Sequence, residues 1–245
     1  MTDLRRTGRQ WLRSILRSAG IQARRLSPYS DDRAALAAML AHAQVDLILD
    51  VGGNVGQYAK DRLTNGYTGR IVTFEPLSAA RAVLLRECLA YPHWQIAERC
   101  ALGDHDGVVS MNVSQNSVAS SALSPTNAHL ELSAQAIEVG TEVVSMVRLD
   151  HVARQFVAAS RAPFLKIDVQ GFEEQVLLGS TEILPRLVGL QVELSFIPLY
   201  DGQKLFPEMC RLINSMGFTL HRMIPAWIEP KTGRWLQADG VFFRG

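Results

Sequence analysis

The stretch that most constrains the fold is Asp50-Val51-Gly52-Gly53-Asn54-Val55-Gly56-Gln57, which directly follows the apolar run at residues 45–50 (VDLILD). An apolar run closed by glycines reads as a buried strand turning sharply into a helix. Glycines at such a turn let the backbone approach a ligand, and the free N–H groups at the helix start face outward. The dinucleotide pattern G-x-G-x-x-G is not met, because Asn54 stands where the second glycine would fall.

The segments around this turn alternate in kind. Ser30 is placed to cap a helix through residues 34–42, with Asp31 and Asp32 in its first turn. After the glycine turn a short helix starts near Gln57. Strands are then expected at residues 70–75 (RIVTFE), 94–101, 108–113 and 143–149, with a helix over 79–90. Residues 114–140, rich in Ser, Asn and Ala, read as a long loop or a short-helix excursion. Later come a strand at 164–169 (FLKIDV), a helix around 173–178, a strand at 188–194, a helix at 205–216 and strands at 218–223 and 241–243. Strands alternating with helices imply an α/β fold with a doubly wound parallel sheet. In such sheets, ligands bind outside the carboxyl ends of the strands.

Acids stand at those ends. Asp50 closes the first strand, and Glu75, next to Pro76, closes the second. In a βαβ unit an acid at the second position accepts hydrogen bonds from ribose hydroxyls. A carboxylate beside the glycine turn repels a pyrophosphate but suits an ammonium group. Asp50, the glycines and Glu75 therefore fit S-adenosylmethionine, which has an amino-acid end and no phosphate, better than a nicotinamide dinucleotide. A structural turn beside unrelated acids is the plainer alternative.

Four motifs in order, DVGGNVGQ, FEP (74–76), ALGD (101–104) and LKIDVQGFE (165–173), resemble the FkbM family of S-adenosylmethionine-dependent methyltransferases. The similarity covers about residues 45–243, with Gln237-Ala238-Asp239 before the last strand. The family's loop usually reads DVGAN, so Gly53 replaces an alanine, and Gln170 stands where the family often has glutamate. The resemblance implies a class I methyltransferase, Rossmann-like, with a mostly parallel seven-stranded sheet and an antiparallel last strand. It also implies methyl transfer to a hydroxyl, with sugars of glycolipids and polyketide-type natural products among the acceptors. Carried over position by position, Asp50, Gly52, Gly53, Asn54 and Gly56, with Gln57 beside them, would hold the amino-acid end of S-adenosylmethionine. Glu75 and Pro76 would meet the ribose, Ala101 and Leu102 would border the adenine, and Asp168 would stand beside the methyl sulfonium.

Transfer from a sulfonium requires an acceptor oxygen aligned behind the methyl, and a general base helps a weakly acidic hydroxyl. The candidates are Asp168, Glu193, His221, Glu173 and Asp239. Asp168 ranks first, although an acid there also suits a purely cofactor-orienting role. Glu193 ends the next strand in VELS. Glu173 also reads as a cap or as a partner of Lys166. His221, inside FTLHRM, also reads as a packed or surface histidine. The six histidines follow no ligand spacing and the three cysteines form no CxxC pair, so no metal site is expected. The loop at 116–121 reads either as a cover for the cofactor or as a surface excursion. Trp227 and Trp235 flank a turn at 230–233 and suit either an apolar wall for an acceptor or a packed hairpin.

Charge separates the N-terminal segment from the body. Residues 1–25 hold seven arginines against Asp3, whereas the whole chain nets +1, so the remainder carries −5. Leu4, Trp11, Leu12, Ile15, Leu16 and Ala19 recur at helical spacing. Residues 1–29 are thus expected to be a basic amphipathic helical segment ahead of a methyltransferase domain at 30–245. That helix suits packing on the domain, peripheral contact with an anionic membrane surface, or a nucleic-acid arm. No nucleic-acid partner is expected, since no aromatic-interleaved basic patch follows and the body is acidic. With 47% hydrophobic and 20% charged residues the chain is not disordered. No apolar run reaches the roughly 18 residues of a membrane span. Three dispersed cysteines and no signal-peptide pattern point to the cytoplasm, with the inner membrane surface as a second location. Two other function classes remain open at this point: a non-catalytic S-adenosylmethionine-binding or scaffold protein, and an NAD-dependent oxidoreductase.

Overall fold

The computed structural model describes Trp11, residues 14–18, Gly20, Tyr29, residues 31–133 and residues 136–245. The chain divides into two compact units, Met1–Leu40 and Ala41–Gly245. Within the basic segment, Trp11 and residues 14–18 are helical, and Trp11 is 69% exposed. Leu4, Leu12 and Ala19 of the expected apolar stripe lie outside the described residues. Helix α1, Asp32–His42, buries Ala35, Leu36 and Leu40. Its first turn is capped by Asp31, whose carboxylate accepts the Ala34 N–H at 2.9 Å. The expected cap, Ser30, lies outside the described residues.

The elements of the second unit run β1 Leu47–Val51, α2 Gln57–Thr64, β2 Arg70–Phe74, α3 Ser78–Glu87, β3 Trp94–Ile96, β4 Ala101–Gly103 and β5 Gly107–Ser114. They continue α4 Asn127–Leu132, β6 Glu138–Arg148, α5 Leu149–Ala158, β7 Pro163–Ile167, α6 Glu173–Leu178, β8 Gly189–Ser195, α7 Phe206–Ser215, β9 Phe218–Ile228 and β10 Trp235–Arg244. Seven strands form one sheet in the order β3-β2-β1-β7-β8-β10-β9. The first five neighbours pair in parallel, and β10 runs antiparallel to both β8 and β9. This is the doubly wound, mostly parallel sheet with an antiparallel last strand that the sequence pattern and the family resemblance implied.

Burial explains the strand composition. Every residue of β1 (LILDV) and of β7 (PFLKI) is buried, as expected for central parallel strands covered on both faces. The core joins Leu49, Leu165, Leu190 and Val192 of the sheet to Leu149, Ala153 and Val157, one stripe of α5 at spacing four. Burying each of these leucines and valines contributes about 1.5–3 kcal/mol before entropy is counted. Strand order reverses between β1 and β7, which opens a crevice at their carboxyl ends. There the Asp168 N–H donates to Val51 O at 3.1 Å.

The expected single strand at 94–101 is two strands in two sheets. β3 ends at Ile96, and the carbonyl of Ala97 is taken by the Arg81 guanidinium at 2.8 Å instead of by a neighbouring strand. Arg99 Nε similarly donates to Pro76 O at 2.8 Å. The chain then enters a second sheet of order β4-β6-β5. The strand expected to reach Leu149 stops at Arg148, because Leu149 opens α5. Between β5 and β6 lie a 3-10 turn, Ser117–Ala119, and α4, the short-helix form of the excursion. β9 and β10 form the hairpin suggested by Trp227 and Trp235, and the Trp227 ring meets that of His129 at 5.6 Å. No helix among the described residues is long and apolar enough to cross a membrane.

Candidate functional site

Two polar rows cross the sheet at its carboxyl end. Parallel register sets Thr73, Asp50, Lys166 and Gln191 side by side on β2, β1, β7 and β8. Equivalent positions on paired strands share a face, so the four side chains meet. All four residues are buried. Trp94 Nε1 donates to Thr73 Oγ1 at 2.9 Å, and that hydroxyl donates to Asp50 Oδ2 at 3.0 Å. Lys166 Nζ lies 3.3 Å from Asp50 Oδ1 and donates to Gly52 O at 3.2 Å. It also sits 5.4 Å from the centre of the Tyr58 ring. Burial works against the ammonium, but Asp50, Asp168 and Asp239 outweigh it and hold Lys166 above the usual lysine range. Gln191 Oε1 accepts the Tyr58 hydroxyl at 3.2 Å.

The second row lies two residues further along each strand: Glu75, Gly52, Asp168 and Glu193, with Asp239 of β10 in register with Glu193. Gly52 adopts φ +78°, and a Cβ there would come within 1.8 Å of Asp168 O, so only glycine brings the two strand ends this close. Glu75 ties down the glycine turn. Its Oε2 accepts the Asn54 N–H and its Oε1 the Leu77 N–H, both at 2.8 Å. Burial pushes its carboxyl up to about 7, against the pull of these two N–H groups.

Beyond β7 the chain turns through Gln170, at φ 56°, and Gly171, at φ 96°. The turn is held by Glu173, whose Oε1 accepts the N–H groups of Val169 and Gly171, each at 3.1 Å. This turn aims the Gln170 amide between two acids. Its Nε2 lies 2.7 Å from Asp168 Oδ1 and 2.7 Å from Glu193 Oε2, and its Oε1 faces the Tyr200 hydroxyl at 3.0 Å. Gln237 Nε2 also donates to Glu193 Oε2 at 2.7 Å. Burial, followed by Asp168, Glu173 and Asp239, raises the Glu193 carboxyl well above the ordinary range. The second oxygen of Asp168 lies 3.5 Å from Lys166 Nζ.

A cavity of about 260 Å³ opens over the second row. Of the sequence candidates, it brings together Gly52, Gly53, Asn54, Gln57, Glu75, Pro76, Asp168 and Asp239. Ala101 and Leu102 line a small adjoining cavity of about 30 Å³ that shares Gly52, Pro76, Met111 and Val169 with the larger one. Several expectations are corrected. Asp50 does not face the cavity, because it lies beneath the glycine turn, fully buried, with Thr73 and Lys166 as partners. Gly56 does not line it either. It caps α2 at φ +89°, where a Cβ would meet the Trp94 ring at 2.4 Å. Glu193 stands behind Asp168, in the grip of two glutamine amides. His221 is exposed on the edge strand β9, with Nδ1 3.1 Å from Thr219 O and its ring against Phe243. Glu173 is a turn clamp and not the partner of Lys166.

Sequence reasoning missed Tyr58, Gln191 and the place of Lys166. Tyr58 is one turn into α2 from Asn54. Lys166 and Gln191 are polar breaks in apolar strands, each two residues before an acid. That spacing is the signal that both side chains share the acid's face. The loop at 116–121 stands over the cavity through Ser117, Val118 and Ser120, and Ser117 Oγ donates to Asn54 Oδ1 at 3.0 Å.

These residues fit S-adenosylmethionine. Asn54 Nδ2 is a buried amide without a hydrogen-bond partner, on a residue that lines the cavity. Glu75 and Asp168 each bring a carboxyl group to the cavity, of the kind that suits paired hydroxyls and a cationic group respectively. Lys166, the ammonium nearest the glycine turn, is engaged by Asp50, Gly52 and Asp168 and offers no phosphate site. No group of three or more His, Cys, Asp or Glu suited to a metal ion occurs among the described residues.

The sequence model of the methyltransferase FkbM domain matches residues 50–220. No curated protein matches at a significant level. Among solved structures, the chain is similar to the methyltransferase FkbM from Methylobacillus flagellatus KT, with 14% identity and a TM-score of 0.47. That match covers 81% of this chain and 43% of the other, so this chain spans less than half of that protein's length. It is also similar to the magnesium protoporphyrin IX methyltransferase from Synechocystis PCC 6803 with bound S-adenosylmethionine, at 11% identity and TM-score 0.46, covering 87% and 78% of the two chains. A third is an O-methyltransferase from neocarzinostatin biosynthesis, at 10% identity and TM-score 0.41, covering 87% and 56%.

Proposed function

The chain belongs to the FkbM methyltransferase family, and from that premise we propose that it methylates a hydroxyl oxygen of a sugar, a glycolipid or a related polyhydroxylated natural product. It is an S-adenosylmethionine-dependent methyltransferase. The observation that supports the reading of the site is that Glu75, the glycine turn and Asp168 open on one cavity, in that order across β2, β1 and β7.

When bound, S-adenosylmethionine supplies a methyl group already activated by its positively charged sulfur. The chain's own residues then have three tasks. Gly52, Gly53 and Asn54 hold the amino-acid end, and Glu75 accepts from the ribose hydroxyls. Asp168 stands at the cationic centre, where a carboxylate in a partly desolvated site interacts more strongly than it would in water. The 117–120 loop and Met111 cover the cavity and keep water from the reacting atoms. Alignment of an acceptor oxygen by such a site supplies roughly 7–11 kcal/mol of the barrier reduction.

Calorimetric titration with S-adenosylhomocysteine tests the binding half of this reading, and a chain that does not bind it refutes that half. For the acceptor, purified protein with methyl-tritiated S-adenosylmethionine is presented with polar lipid extracts, methyl glycosides, and RNA and amine controls. Label entering the glycans or lipids in a base-stable ether is the expected result. Label in RNA bases or amines alone overturns the hydroxyl assignment, and tight binding with no transfer to any acceptor favours a non-catalytic role.

A further inference from the structure

The geometry points to Asp239 as the carboxylate that receives the acceptor's hydroxyl proton, with Asp168 reserved for the methyl donor. This inference rests on the reading of the site as a hydroxyl methyltransferase. In the sheet order, Glu75 follows β2 and Asp168 follows β7, whereas Asp239 lies on β10, two strands beyond β7. At ~4.8 Å between strands, Asp239 stands roughly 19 Å from the β2 end of the same cavity. A methyl donor with its ribose at Glu75 and its sulfur at Asp168 fills the β2-to-β7 part. The part that remains is faced by Gln191, Tyr58 and Asp239, which all line the cavity.

The two acids differ in what already holds them. Asp168 has the Gln170 amide on one oxygen and Lys166 near the other. Asp239 takes a hydrogen bond from Gln191, whose own carbonyl is fixed by the Tyr58 hydroxyl. Burial and then Asp168 raise the Asp239 carboxyl, while Lys166, Gln191 and Arg62 of α2 partly offset them, leaving it at about 6. Glu193 is its register partner on β8, and on β9 it faces the apolar Ile224. An acid of that strength is ionised at neutral pH yet holds a proton better than an ordinary aspartate, as a general base requires. In the step itself, the acceptor oxygen bonds to the methyl carbon, the carbon–sulfur electron pair stays on sulfur, and the hydroxyl proton passes to the Asp239 carboxylate. With Lys166 committed to Asp50, Gly52 and Asp168, this end of the cavity takes a neutral hydroxyl-bearing ring in preference to a phosphate or carboxylate.

The test compares Asp239→Asn and Asp239→Ser with Asp168→Asn, each checked for folding by a circular-dichroism melt. S-adenosylhomocysteine titrations are expected to show both Asp239 variants within about threefold of wild type and Asp168→Asn at least about tenfold weaker. Transfer of tritiated methyl to the labelled glycan or lipid fraction is expected to fall by roughly 10²–10⁴ in Asp239→Asn. The rise with pH near 6 of wild-type kcat/KM for the acceptor, measured at saturating S-adenosylmethionine, is expected to vanish with it. Asp239 variants that lose S-adenosylhomocysteine as Asp168→Asn does, or that transfer methyl within tenfold of wild type, overturn the assignment. If wild type labels no hydroxyl acceptor, the hydroxyl reading itself fails. The titrations alone then decide, with spared affinity in the Asp239 variants upholding the place given to this acid and equal loss refuting it.

Discussion

Lys166 on β7 and Asp50 on β1 form an ion pair at 3.3 Å, with side chains 5% and 0% exposed, directly beneath the glycine turn. Two charges at this depth offset each other, and removing one strands the other without solvent. Lys166→Met is therefore expected to lower unfolding stability in urea by about 3–5 kcal/mol. Because Lys166 also donates to Gly52 O, the same variant is expected to weaken S-adenosylhomocysteine binding. Adding Asp50→Asn to it should recover part of the stability. A single-variant loss below about 1 kcal/mol would show that the pair contributes little.

Gly53 stands where the family usually has alanine, and the structure supplies the reason. A Cβ at this position would come within 2.0 Å of Thr73 Cγ2. Gly53→Ala is thus expected to cost about 1–3 kcal/mol by overpacking. Thr73→Ser removes that methyl but keeps the hydroxyl that links Trp94 to Asp50. The double variant should regain most of the loss in thermal or urea unfolding, and additive losses would disprove the clash.

Glu75 gives the methyl-donor site a pH dependence. With its carboxyl raised to about 7, it sheds its proton between about pH 6 and 8. The ionised form accepts more strongly from ribose hydroxyls. S-adenosylhomocysteine affinity is expected to rise across that window in wild type and to stay flat in Glu75→Gln. A parallel rise in the variant would assign the titration to another group.

Glu173 links pH to stability. Burial, with Asp168 behind it, pushes this turn-clamping acid to about 7, whereas the unfolded chain releases the proton near 4.5. Between those values the folded state binds the extra proton, so stability falls as pH climbs and levels off above about 7. Glu75, Glu193 and Asp239, all raised, add slopes of the same sign. Glu173→Gln keeps an acceptor for Val169 and Gly171 and should remove part of the decline measured by urea unfolding at pH 5 and 8. An unchanged slope would refute the contribution.

Much of this site can be read from the chain alone, because its acids end apolar runs or sit in short turns. Asp50, the glycines, Glu75 and Asp168 are visible in that way, and so is the doubly wound sheet. What the chain hides depends on which strands become neighbours. Asp50 and Lys166 are distant in sequence, and only the order β1-β7 turns Asp50 from a ligand-facing acid into a buried partner. His221 lies in a strand as apolar as its neighbours, and nothing local reveals that β9 ends the sheet and leaves it in solvent. The break at residues 97–100 is hidden because the Ala97 carbonyl is taken by Arg81 while Arg99 reaches back to Pro76 O, a choice settled by tertiary packing.

Floor and roof of the cavity belong to separate scaffolds. The floor is the sheet edge at the carboxyl ends of β2, β1 and β7, with Gln191 of β8 and Asp239 of β10, while Met111 and residues 117–120 come from the excursion between β3 and α5. That appendage is anchored at both ends to the large sheet but shares no strand with it. Its length and chemistry can therefore change while the spacing of Glu75, Gly52 and Asp168 along the sheet edge stays constant.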